Sequence, residues 1–101
     1  MSGKMADVRA IALLSLARSF YGASRNLGSA LENKRALQGE RRIYKDFLAK
    51  YGDALSDDMR RQIEHRIEYL ENEIKIAEEL IENYRKDFVE VNKELEKVLG
   101  W

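Results

Sequence analysis

From Ile63 to Val98 an apolar or aromatic residue recurs at gaps of four and three in strict alternation: Ile63, Ile67, Leu70, Ile74, Ala77, Ile81, Tyr84, Phe88, Val91, Leu95 and Val98. That spacing marks a helix whose apolar stripe runs straight along a partner. In heptad letters Ile67, Ile74, Ile81, Phe88 and Leu95 take position a, and Ile63, Leu70, Ala77, Tyr84, Val91 and Val98 take position d. A helix over 57–99 would extend roughly 65 Å at about 1.5 Å per residue. A chain of 101 residues cannot enclose such a rod, so whatever lies alongside it decides the architecture.

The first half carries a second seam in the same rhythm: Leu13, Leu16, Phe20, Ala23, Leu27, Ala30, Lys34, Leu37, Arg41, Tyr44, Leu48, Tyr51 and Leu55. It predicts a first arm over 5–51, preceded by a disordered leader over 1–4. The start of this arm bears Arg and Ser and only one acid, Asp7, as transit peptides do. A presequence has no reason to share a register with the mature chain, so these residues are read as part of the seam. Their apolar stretch is too short for a membrane span. Gly22, Ser24, Asn26, Gly28 and Ser29 are turn and cap residues, and Ser29-Ala30-Leu31-Glu32 has the form of a capping box. The arm is therefore continuous or kinked near 22–29, or it reverses there into a three-helix arrangement. The unbroken phase of the seam favours the continuous form. Small residues such as Ala10, Ala17, Gly22 and Gly28 would allow close approach to Phe88, Val91 and Leu95.

Tyr51-Gly52-Asp53 ends the arm, with Gly52 suited to a left-handed helix stop. Ser56 then reads as an N-cap, followed by Asp57 and Asp58 at the positive end of the helix dipole. The expected fold is all-α: a long antiparallel helical hairpin with coiled-coil-like packing, one helical domain over 5–101, with the turn at 52–56 and the long helix at 57–99.

A hairpin buries one stripe of each helix, and this chain has apolar residues elsewhere. On the long helix they are Tyr69 and Ile76 at c, Leu80 at g, Val89 at b and Leu99 at e; on the first arm they include Val8, Ile11, Leu14, Tyr21, Leu31, Ile43 and Phe47. Exposed together they exceed what a soluble monomer usually shows. The expected partner is a second copy, completing a four-helix bundle by dimerisation, with Tyr69, Ile76, Leu80, Val89 and Leu99 at the interface. Another helical protein is the other candidate occupant. The charge distribution suits side-by-side arms: residues 1–31 sum to +3, 32–67 to +2 and 68–101 to −5.

Charged residues make up 36% of the chain, with proline and cysteine absent and the formal net charge zero. Cysteine chemistry is excluded, nothing demands an oxidising compartment, and a cytoplasmic setting is favoured. Bulk basicity for nucleic-acid binding is lacking. A basic group does gather near the turn, and Arg41, Arg42, Lys45, Arg60 and Arg61 are the candidate nucleic-acid contacts. The lone histidine, His65, sits at the outward f position, where a ferritin-like Glu-x-x-His site cannot form. Glu71 and Glu78, one heptad apart at e, fit flanking-charge steering of helix pairing better than a metal. No phosphate loop, nucleophile elbow or metal-spaced cluster is present, so no cofactor and no catalytic role is expected. In outline the chain is similar to small secreted helical hairpins closed by a Trp-x-Gly turn. Its own turn, Tyr51-Gly52, lacks the Trp, and the Tyr-x-x-x-acid match at Tyr69–Glu73 lies far from the C-terminus, so no residue role is transferred. The function expected is a non-enzymatic structural, assembly or adaptor role through protein–protein contact.

Overall fold

The computed structural model describes the backbone of residues 2–100 and the side chains of residues 8–100. It contains two α-helices, α1 (Ser2–Tyr51) and α2 (Asp57–Leu99), joined by a single 3-10 turn, Gly52–Ala54. Residues 2–4, expected as a disordered leader, are part of α1; Met1 and Trp101 lie outside the described residues.

Helix α1 passes through 22–29 without a break, so the three-helix alternative does not occur. Each Gly, Ser or Asn there weakens a helix by at most about 1 kcal/mol, and the seam offsets this by burying Ala23 within the stretch and Ala30 just after it. The glycines are not sites of close approach: a Cβ on Gly22 or Gly28 would meet nothing within 4 Å.

The turn differs in one detail from expectation. Gly52 is not left-handed; among the described residues only Gly100 has a positive φ, 76°. The chain tightens instead into the 3-10 turn, with the Leu55 N–H donating to the Gly52 carbonyl at 3.2 Å. The Arg60 guanidinium donates to the same carbonyl at 2.7 Å. Ser56 is the N-cap of α2: its Oγ accepts from the Met59 N–H at 3.2 Å, and its carbonyl accepts from the Arg60 N–H at 2.9 Å. Gly100 takes the left-handed stop at the far end, its N–H donating to the Lys97 carbonyl at 3.3 Å.

The spacing predicts one helical domain over 5–101; the chain packs as two compact units, Ala30–Leu80 and Met1–Ser29 with Ile81–Trp101. In the Ala30–Leu80 unit the helices run antiparallel, as the ion pairs show. Lys45 reaches Glu71 at 3.3 Å, while Lys34, earlier on α1, reaches Glu78, later on α2, at 3.6 Å. Ile67, Leu70, Ile74 and Ala77 are buried, with Leu70 completely so at 0% exposure. Lys34 and Arg41, the two cations within the seam, are half-buried, and Lys34 meets Glu78 at the seam edge.

The second unit buries Ala23 and Ile81. The Phe20 and Phe88 rings pack with centroids 5.0 Å apart, tilted by 44°. Leu13, Leu16, Leu27, Tyr84, Val91, Leu95 and Val98 are half-buried. Among the described residues its ion pairs, Lys93–Glu90 at 3.8 Å and Lys97–Glu94 at 3.2 Å, lie within α2. No ion pair joins its two segments among the described residues.

Candidate protein-contact face

Carrying the heptad letters from each seam outward divides the Ala30–Leu80 unit into two flanks. In an antiparallel pair, position g of one helix borders g of the other, and e borders e. The ion pairs agree: Glu40 and Arg66 are both g, and Lys45 and Glu71 are both e. Positions g and c therefore form one flank, and e and b the other.

The g/c flank mixes large apolar side chains with four charged ones, Glu40, Lys50, Arg66 and Glu73. It carries Ile43, Phe47, Met59, Tyr69, Ile76 and Leu80, exposed to 69, 39, 54, 51, 50 and 41% respectively. One polar cluster sits among them. Arg66 Nη2 donates to both Glu40 carboxylate oxygens, at 3.0 and 3.3 Å. The same guanidinium lies over the Tyr69 ring, 5.0 Å from its centroid, a cation–π arrangement. The hydrogen bond to Glu40 is the main reason that the Arg66 pKa is raised above its ordinary value; desolvation opposes it, and the Glu40 charge, Tyr44 and Tyr69 add to the rise. The Arg66 guanidinium stays charged throughout the neutral range.

Three of the five candidate interface residues, Tyr69, Ile76 and Leu80, stand on this flank. Val89 and Leu99 do not. They belong to the other unit and to the b and e flank of α2. Val89 is exposed within a surface recess bordered by Glu82, Arg85, Lys86, Glu90 and Lys93, a lone apolar residue among charges, and Leu99 is half-buried. Sequence reasoning missed that Ile43, Phe47 and Met59 share the flank of Tyr69. Lettering α1 in the same way as α2 places Ile43 at c and Phe47 at g, so the signal was present. In the other unit Val8, Ile11, Leu14 and Tyr21 are exposed on α1, a separate apolar set.

The candidate nucleic-acid residues are divided. Arg41, Arg42 and Lys45 border a polar recess on α1 with Gln38 and Asp46. Lys45 is paired with Glu71, and Arg60 is engaged by the Gly52 carbonyl. Arg61 is exposed on α2. Glu71 and Glu78 each meet a lysine across the seam, as flanking charges do. His65 is exposed, and among the described residues no group of three His, Cys, Asp or Glu is placed to hold a metal. No helix among them is long and apolar enough to cross a membrane.

Compared with known proteins, the chain matches no protein family, no curated protein and no solved structure.

Proposed function

We propose that this chain is a non-enzymatic helical module acting through protein–protein contact, and that it self-associates into a four-helix assembly by apposing its apolar g/c flank. The observation that carries the reading is the concentration of six half-exposed large apolar side chains around the Glu40–Arg66 pair on one flank of the Ala30–Leu80 unit, whereas the other flank is charged and carries the Lys45–Glu71 pair. Water contact at such a flank is costly. Each large apolar side chain stabilises by about 1.5–3 kcal/mol when fully buried, and these six, about half exposed, hold roughly half of that gain for association, to be set against its entropic cost.

Light scattering across a concentration series tests this. The expected mass is twice that of the chain, and Ile76→Asp lowers it while helicity stays high. A monomer at every concentration would sink the self-association reading.

A dimeric nucleic-acid binder is the second reading, supported by the grouping of Arg41, Arg42 and Lys45 beside one recess. It requires binding at low salt that falls steeply as salt rises; no binding at low salt removes it.

A further inference from the structure

Near its start, helix α1 carries an outward stripe on the side turned away from its seam. We propose that with this stripe the unit formed by Met1–Ser29 and Ile81–Trp101 docks on the surface of an anionic phospholipid membrane. Ile11, Leu14, Arg18, Tyr21 and Arg25 occupy positions f and b in turn, at gaps of three and four. They span about 21 Å of helix at about 1.5 Å per residue. Ile11, Leu14 and Tyr21 are exposed to 68, 56 and 66%. These are the positions where a helix of a solvated hairpin carries polar residues. On α2 every f and b position from Asp58 to Glu96 is polar except Val89. Further along α1 the same two positions hold Glu32, Arg35, Gly39, Arg42 and Asp46. The stripe at 11–25 is the departure, and the seam makes no use of it.

Charge selects the occupant. From Val8 to Ser29 the α1 segment holds three arginines, Arg9, Arg18 and Arg25, and no acid, whereas α2 brings five acids and four bases to the unit. All three arginines are exposed, and none makes an ion pair among the described residues. A second copy of the stripe would set arginine against arginine. A nucleic acid would take the guanidinium groups and leave Ile11 and Leu14 in water. The stripe is a convex ridge on one helix, so a protein partner would need a groove that alternates apolar and acidic pockets along its length. A lipid interface meets both demands without such a groove. Acyl chains take Ile11 and Leu14, the Tyr21 ring sits at headgroup level, and the arginine stems lift their heads to the phosphates. No helix among the described residues is long and apolar enough to cross a membrane, so the contact is with the surface alone.

Co-sedimentation of the full chain with phosphatidylcholine vesicles and with mixed phosphatidylcholine–phosphatidylglycerol vesicles tests the proposal, each variant being checked for helicity by circular dichroism. The native chain is expected to bind the mixed vesicles, to prefer them to the neutral ones and to lose affinity as salt rises. Arg18→Gln and Arg25→Gln should each weaken binding about fivefold, the effect of one cation at an anionic surface. Ile11→Gln combined with Leu14→Gln should weaken it about tenfold. Lys86→Gln removes the same charge from an exposed f position of α2 in the same unit, and it should bind as the native chain does. No binding to the mixed vesicles overturns the proposal, as does equal binding to both kinds. Binding unchanged by the Ile11→Gln and Leu14→Gln pair reduces the contact to diffuse charge and overturns it. So does a loss with Lys86→Gln as large as that with Arg18→Gln. Binding to polyglutamate in place of vesicles assigns the stripe to an acidic protein and overturns the membrane contact.

Discussion

Gly52 and Arg66 show how far single residues can be read here. Gly52 invited a left-handed helix stop because that is where glycine most often does its work. The residue has a negative φ, and a Cβ there would meet nothing within 4 Å. Gly52→Ala is therefore expected to raise stability by about 0.4–1 kcal/mol through the unfolded state, seen as a higher midpoint in urea unfolding. A lower midpoint would show that the turn needs glycine after all. Arg66 illustrates a pH relation whose sign follows from its raised pKa. A group held protonated more firmly in the folded state contributes stability below its unfolded pKa and loses it only as pH rises through the folded one. Both values lie in the arginine range, so the Arg66 contribution should be flat between about pH 6 and 9. Native and Arg66→Met proteins should then show parallel stability profiles across that window. Converging profiles would mean that a neighbour of Arg66 titrates there.

The two helices were legible to different degrees. On α2 eleven residues keep the heptad without a slip and none of the intervening residues breaks a helix, so its bounds and buried face can be read from the sequence. On α1 the cap-like residues between Gly22 and Ser29 imitate a helix end. What sequence spacing cannot weigh is how much packing at Ala23 and Ala30 offsets their poor propensity. The turn's route was also hidden, because it depends on a carbonyl shared between the Leu55 N–H and the Arg60 guanidinium. The contact flank was half legible. Tyr69, Ile76 and Leu80 stand out on one helix, whereas Ile43 and Phe47 join them only when the neighbouring helix is given its own register. The seam itself makes a firm expectation. Leu70 is the fully buried large side chain, so Leu70→Ala should cost about 2–5 kcal/mol from lost burial and the cavity left behind. A loss below about 1 kcal/mol in chemical denaturation would contradict a packed seam.

At the scale of the molecule, burial is uneven. Among the described residues the Ala30–Leu80 unit buries Ala30, Ile67, Leu70, Ile74 and Ala77, whereas the other buries Ala23 and Ile81. Opening free energies track local burial, so amide exchange should be slowest over 67–77 and faster over 84–98, as measured by hydrogen–deuterium exchange with mass spectrometry. Uniform protection would mean that the two units open only together. Weighing one unit against the other was beyond sequence spacing, because the seams continue through residues 29–30 and 80–81 in unbroken phase; which layers close tightly depends on the side chains that meet.

The two units also differ in how the chain supplies them. Ala30–Leu80 is one unbroken stretch containing its own turn, so its contacts can form outward from that turn, beginning between residues near in sequence, which favours rapid folding. The other unit joins two stretches separated by that entire hairpin. On a ribosome, which delivers the chain from its N-terminus, the hairpin's own residues have all been made before residue 81 is added. Closing that hairpin first spares the other unit's two stretches a search across some fifty residues of loose chain.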